Sequence, residues 1–407
     1  GLINKAEDMS DRPDFPGNES YGFKENCEGV LAARYGAVWR DLRRFTLSTL
    51  RNFGVGKKSL EERVQEEAHY LCSAFKTKEG RPFNPRVLLA NAVTNVICSI
   101  TFGDRFEYDD KNFQKVLSLF GDLVKYDSDF IGQLTNLAPG LMRIPGLARQ
   151  IAKNQDEFFY FLKKIVEEHK KTRDPNVKRD FIDAFLDELE KMKPESISGF
   201  SEPNLVLTIL DLFIAGTETT SSTLRWGLLY MILFPDIQKR AQEEIDKVIG
   251  RDRQPSMDDR VNMPYTNAVI HEVQRMGNIL PFSVPRRTSK HTEINGFYIP
   301  KGITILPNLT TVLQDPNHWE RPYQFYPEHF LDAEGKFIKP DAFLPFGTGR
   351  RICLGEPLAR MELFLFFTSF LQKFYFSIPR DQPRPTEEAR VGIFRVPANF
   401  DLCVNLR

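Results

Sequence analysis

The sequence predicts a mainly α-helical chain with small β-sheets, organised as one domain over 1–407. Three observations predict it. Apolar residues recur at three- and four-residue spacing in segment after segment, the pattern of helices with one buried face. One stretch, 204–234, is apolar along most of its length, as a helix through the middle of a core must be. Strand signals are short and few, and no internal repeat or block of like charge interrupts them.

Residues 1–29 are rich in Pro, Gly, Asp, Glu and Asn and read as loop. A helix follows over 37–45, where Trp39 and Arg43 stand four apart and share a face. Residues 59–75 and 85–102 read as two more helices, and 110–130 and 148–171 as another pair split by the breaker 136–140. The segment 172–176 closes that group, and 191–203 is a Ser/Pro/Gly loop. The central helix, 204–234, ends at Pro235, because a proline pushes the residue before it out of the α region. Helices over 235–249 and 263–276 come next, the second carrying Glu272 and Arg275 at a pairing distance of three. Short strands are expected around 284–288 and on both sides of Asn295-Gly296, a hairpin-turn dipeptide. A helix over 358–372 and a final small sheet complete the chain.

Composition excludes several classes. Lys and Arg number 55 and Asp and Glu 55, so no net positive charge draws the chain to nucleic acid. Cys27, Cys72, Cys98, Cys353 and Cys403 are odd in number and widely spaced, with no C-x-x-C. That argues against a disulfide framework or zinc site and for a reducing compartment, in which the sequons at Asn18 and Asn308 are chance matches. No apolar run reaches the roughly 18–20 residues that span a bilayer. The 34 phenylalanines suit an apolar interior or pocket.

The segment 346–355 carries the chemistry. Cys353 is flanked by Gly349 and Gly355, which let backbone and ligand approach closely, and by Arg351 two residues before it. A helix with Pro357 in its first turn begins just beyond, so the sulfur sits near a helix N-terminus with cations at hand. Both features favour thiolate over thiol. A lone cysteine is most often a small buried hydrophobe, and a cysteine nucleophile would need a histidine to activate it, which no sequence feature supplies. The spacing decides: Phe346, Gly349, Arg351, Cys353 and Gly355 resemble the F-x-x-G-x-R-x-C-x-G haem-binding loop of the cytochrome P-450 monooxygenases.

That resemblance extends along essentially the whole chain. It implies a helical prism around haem b, with the family's N-terminal part missing. Cys353 would be the axial thiolate, which pushes electron density onto the iron. Trp39, Arg43, Arg286 and Arg351 would position the haem propionates, with Phe346 and Gly355 framing the sulfur and Ala215 over the ring. Ala215-Gly216-Thr217-Glu218-Thr219-Thr220 is similar to the family's A-G-x-E/D-T-T motif. Gly216 would let substrate or dioxygen near the backbone, Thr219 would hold dioxygen and a water, and Glu218 would relay protons. Glu272-x-x-Arg275 and Pro327-Glu328-His329-Phe330 match two further family elements, except that His329 stands where arginine is usual, implying a weaker bond there.

Residues 50–61, 105–110 and 353–367 are more closely similar to the D branch of the second vertebrate P-450 family, microsomal enzymes acting on basic lipophiles. By that resemblance Asp211 and Asp127 would hold a substrate ammonium, two carboxylates on an apolar wall. Leu31, standing where the branch has phenylalanine, joins Ile214, Phe282 and Val284 as pocket candidates. The implied partners are an NADPH-cytochrome reductase, cytochrome b5, a lipophilic small molecule and the membrane surface, with no nucleic acid. The implied location is the cytosolic face of the endoplasmic reticulum membrane. The basic residues Arg40, Arg44, Arg51, Lys57 and Lys58 would dock the redox partner. A haem-binding sensor or inactive fragment without turnover and a non-oxidative haem-thiolate isomerase also fit the cysteine loop. Glu218-Thr219 argues against the isomerase, which needs no proton relay.

Overall fold

The computed structural model describes residues 2–14, 29–128, 147–174, 176–192 and 199–407. Helix α1 (Ala37–Asn52), α2 (Lys58–Lys76), α3 (Arg86–Thr101), α4 (Lys111–Ser128) and α5 (Leu147–Thr172) fall where apolar periodicity placed them. Helix α6 (Phe181–Lys191) was not expected. Asp180 caps it by accepting from the Asp183 N–H, and Phe181, Ile182, Phe185 and Leu186 form its buried face. Helix α7 (Glu202–Leu233) starts at the Ser201 cap with Pro203 in its first turn. It gives way at Phe234 to α8 (Pro235–Val248).

A 3₁₀ turn (Met257–Asn262) leads into α9 (Pro264–Gly277). Two small sheets follow, β1 (Arg286–Arg287) with β4 (Thr304–Ile305), and β2 (Thr292–Ile294) with β3 (Phe297–Ile299). The β2–β3 hairpin turns at Asn295 and Gly296, both at positive φ (51° and 83°), as the dipeptide predicts. Asn308 caps the short helix α10 (Leu309–Leu313), so this sequon asparagine is a helix start. Helix α11 (Glu356–Lys373) runs from the cysteine loop. The expected final sheet is two: β5 (Phe374–Ser377) with β8 (Cys403–Leu406), and β6 (Ala389–Val391) with β7 (Arg395–Pro397). Among the described residues no helix is long and apolar enough to cross a membrane. There the cysteines are free, and Cys27 lies outside the described residues.

The core positions the site. The C-terminal half of α7, Leu224 to Leu233, packs with α2, α3, α9 and α11 in one apolar cluster. Its N-terminal half, Leu205 to Phe213, belongs to another with α4, α5 and α6. Between the halves lies 215–219, in neither core, and there one side of the helix is uncovered. Ala215 is the one exposed residue from Asn204 to Leu233. Leu354, next to Cys353, packs against both clusters, so the sulfur is anchored at the same seam.

The α5–α6 corner is tied by a buried polar pair. His169 Nδ1 lies 2.9 Å from the Ile165 carbonyl, and its Nε2 lies 2.9 Å from Asp180 Oδ2. Both partners accept, so the ring bonds to both as imidazolium. Burial opposes that charge, but Asp180 and the Ile165 carbonyl outweigh it and raise the His169 pKa. A raised folded-state pKa gives stability that is complete below the unfolded value of about 6.5 and is lost as pH rises through the folded value. Urea midpoints should therefore fall above neutral pH, and His169→Gln should flatten that dependence.

Candidate haem-thiolate site

Cys353 hangs in a loop held at both ends. Its N–H donates to the Phe346 carbonyl at 3.0 Å, and Gly347 and Gly349 take φ of 73° and 76° so that the chain can turn back. A side chain at Gly349 would strike the Leu2 carbonyl. The Gly355 and Glu356 N–H groups, at the start of α11, lie close enough to favour the anion. The Cys353 side chain reaches solvent, yet enough protein surrounds the sulfur that loss of hydration is the largest influence on it. The thiol pKa is pushed up despite those N–H groups and Arg43. This corrects the expectation from the helix N-terminus: the loop alone does not make a thiolate. A bound metal cation, which deprotonates a coordinating thiol outright, has to do so.

Beside the loop lie cations in search of an anion. Among the described residues Arg286 is buried and gives one bond, Nη2 to the Thr348 carbonyl at 2.8 Å, while its Nε and Nη1 are buried with no partner there. The Trp39 Nε1 is also buried and, among the described residues, unpartnered. Arg43 packs over the Trp39 ring and donates to the Ile352 carbonyl. Arg12, which sequence analysis missed, joins them, donating to the carbonyls of Leu31, Val284 and Pro285. Burial and then Arg286 lower Arg12 to about 9, against a partial offset from Asp211. Burial and then Arg12 lower Arg351 to about 8. Buried guanidinium groups that repel one another, with orphaned donors among them, fit the two carboxylates of a porphyrin. An exposed sulfur and an exposed Ala215 at the seam between two cores fit its ring. The residues present therefore suit haem b, with Trp39, Arg43, Arg286 and Arg12 as propionate-side groups.

Arg351 is placed differently from expectation. Its Nε, Nη1 and Nη2 donate to the carbonyls of Ser10, Val30 and Ala33, and its guanidinium stacks 4.1 Å from the Trp39 centroid. It stitches the segment after Gly29 to the cysteine loop, and these donors are spent on backbone.

On α7, Asp211, Ala215 and Thr219 are spaced by four and form one stripe. Thr219 Oγ1 donates to the Ala215 carbonyl at 2.6 Å, and Thr223 Oγ1 to that of Thr219 at 2.7 Å. Glu218 Oε1 accepts from Ser222 at 2.8 Å. Thr220 turns the other way, to the buried Glu362 of α11. Gly216 does not face the stripe: a Cβ there would sit 2.4 Å from Ile97 Cδ1 of α3. Glycine is needed for helix packing, which corrects its assignment to substrate access. Gly216→Ala should cost about 1–3 kcal/mol by overpacking. Ile97→Val in the same chain, which removes that Cδ1, should recover part of it, as thermal melts would show.

Asp211 is also corrected in part. Its Oδ2 accepts from the N–H of Val30 at 2.7 Å and of Leu31 at 2.9 Å, so the carboxyl fixes the loop that carries Leu31. Burial pushes its pKa up to about 7, against those N–H groups and Arg12. Arg12 bridges Leu31 to Val284, which brings these two pocket candidates together. Ile214 is half-buried against the upper cluster, and Phe282 is exposed beside Ser283 at φ 51°. Asp127 lies in the last turn of α4, where its side chain is outside the described residues.

On the far side of the cysteine loop, Glu272 and Arg275 are fully buried and joined by two 2.7 Å bonds. Arg275 also donates to the carbonyls of Leu313, Pro322 and Gln324, so all five of its N–H groups are used. His329 Nε2 accepts from the Arg321 N–H at 3.1 Å, which leaves Nδ1 as the donor to Glu272 at 3.3 Å. These long contacts are the weaker bond foreseen for histidine at that position.

Comparison with known proteins agrees with this geometry. The Cytochrome P450 family model matches residues 2–404. Cytochrome P450 2D15 of Canis lupus familiaris is 53% identical over 407 residues, covering 100% of this chain and 81% of the relative. Cytochrome P450 2D6 of Homo sapiens is 52% identical over 403 residues, covering 99% and 81%. Cytochrome P450 2D4 of Rattus norvegicus is 51% identical over 407 residues, covering 100% and 81%. The chain therefore belongs to the cytochrome P450 family, in the D branch of its second family, and is a haem-thiolate monooxygenase that works with haem b, a redox partner and lipophilic substrates.

Proposed function

We propose that the chain acts as one catalytic domain, 1–407, holding haem b through Cys353 and oxidising lipophilic, basic small molecules on the side of α7 that carries Ala215 and Thr219. The observation that carries this reading is the orphaned Arg286 and Trp39 donors beside the exposed sulfur. When bound, the haem supplies the dioxygen chemistry, inserting one oxygen atom into substrate. The chain binds, orients and protonates. Arg43, Arg286 and Arg12 neutralise the propionates and the Trp39 N–H donates to one of them, with Phe346 and Gly355 shaping the floor of the loop. Thr219 holds a hydroxyl at the open face through its bond to the Ala215 carbonyl, and Glu218, bonded to Ser222, passes protons towards it.

Asp211 anchors the wall formed by Leu31. Among the described residues its bonds fall on Oδ2, so Oδ1 is the oxygen a substrate ammonium would meet. Asp127 is the second acid of this reading, and Ile214, Phe282 and Val284 complete the pocket lining. Electrons come from an NADPH-dependent flavoprotein reductase, with cytochrome b5 as a second donor, at a surface that includes the exposed Arg40, Arg44, Arg51, Lys57 and Lys58. The proposed location is the cytosolic face of the endoplasmic reticulum membrane.

The test is NADPH-dependent turnover of a lipophilic amine with added reductase. Thr219→Ala should lower product formation by about 10²-fold, the lower end of what a proton-transfer group contributes. NADPH and dioxygen consumption should persist, the oxygen leaving as peroxide. No product from the haem-loaded chain would favour a haem-binding sensor, and unaltered product in T219A would remove Thr219 from the oxygen side.

A further inference from the structure

Behind the cysteine loop lies a histidine to which sequence reading gave no role. His271, on α9, is buried and packed among the rings of Phe330, Phe337 and Phe343. Its Nδ1 lies 2.7 Å from the Asn267 carbonyl and must carry the proton. Its Nε2 lies 2.9 Å from Arg360 Nη1, and a guanidinium only donates, so Nε2 is the acceptor. The ring is thus a neutral imidazole of one tautomer. Burial, with Arg360 and Arg260 nearby, lowers its pKa to about 3.

Arg360 has two further attachments. Its Nε and Nη2 grip Glu356 Oε1 at 2.9 and 2.7 Å, and its guanidinium lies 5.1 Å from the centroid of Phe346. Both contacts lead to the sulfur. The Phe346 carbonyl accepts the Cys353 N–H, and Glu356 opens α11 just beyond the sulfur. Arg360 thus ties α11 to the loop, and the His271 acceptor fixes the plane of its guanidinium.

We propose that His271 is a positioning residue for the thiolate: by accepting from Arg360 it holds the guanidinium between Glu356 and Phe346, bracing the loop that carries the sulfur from its α11 side. This rests on the reading that Cys353 ligates the haem iron. Outer groups that orient a ligand and tune its basicity affect metal sites strongly. His271 acts at one remove further, through Arg360. Leucine fills much of its volume without an acceptor. Glutamine keeps an acceptor at about the reach of Nε2.

The test uses the haem-loaded full chain and reads the carbon monoxide spectrum of the reduced protein over time, with a thermal melt as a folding control. The wild type is expected to show the strongly red-shifted Soret band of a thiolate ligand. In H271L that band should convert to the unshifted form about ten-fold faster. H271Q should restore most of its lifetime. If H271L does not fold, R360Q, at a side chain 16% exposed, should show the same accelerated loss. A wild-type band lifetime in H271L or in R360Q overturns the proposal. So does an H271L loss that H271Q does not restore, since that would make His271 packing alone. A wild type without the red-shifted band removes Cys353 from the iron, and the proposal falls with it.

Discussion

In Cys353→Ser the reduced protein with carbon monoxide loses its red-shifted Soret band, and oxidation falls by more than about 100-fold, beyond what loss of a merely supporting group costs. Serine keeps the shape of the loop. Its backbone N–H can still reach the Phe346 carbonyl, and the N–H groups of Gly355 and Glu356 still lie close to the side chain. What goes is a polarizable sulfur that a cation can deprotonate. Because burial raises the Cys353 pKa here, the anion exists only when metal binding drives it. Haem uptake by wild type should therefore release a proton that the serine variant does not release. A pH-indicator titration of the apoprotein with ferric haem measures that difference. Equal proton release, with band and turnover intact, would take the sulfur off the iron.

Removing either partner of the Glu272–Arg275 pair should destabilise the fold by about 3–5 kcal/mol, the usual cost of stranding one charge where no water can reach it. The pair has no exposed surface, and Arg275 also holds the carbonyls of Leu313, Pro322 and Gln324. Glu272→Ala would leave that guanidinium facing only neutral acceptors. Arg275→Ala would leave a carboxylate with the Tyr326 N–H and the long His329 contacts. Combining the two should cost less than the sum of the singles, since the second change removes the charge that the first stranded. Denaturation midpoints of the four proteins test this, and haem retention should follow the same order. A strictly additive pair would mean that the interaction contributes only packing.

Much of this was legible in the chain. The helices around the core are written in apolar periodicity, and Asn295-Gly296 marked its hairpin. The cysteine loop was legible because its glycines, arginine and sulfur are all local in sequence. Glu272–Arg275 is likewise a one-turn pair. Helix α6 could have been found from Asp180, an N-cap residue ahead of an amphipathic run, but it was passed over. Arg12 was not legible: it lies in a Pro- and Asp-rich stretch, and its partners Val284 and Pro285 are more than 270 residues away. The pairing of His271 with Arg360 spans 89 residues and leaves no periodic trace.

The sequence by itself determined the helical elements, the identity of the metal-ligating loop and the presence of an acid and a threonine on the central helix. These depend on neighbours within a turn or two, where spacing is chemistry. The tertiary structure alone decided the charge states and the assignments of individual donors. It put the carboxyl of Asp211 against two backbone amides, spent Arg351 on three carbonyls, turned Gly216 towards Ile97 and raised the thiol of Cys353. Each is a matter of what surrounds a group on all sides, of lost hydration and of distant partners, and a linear chain carries no record of either.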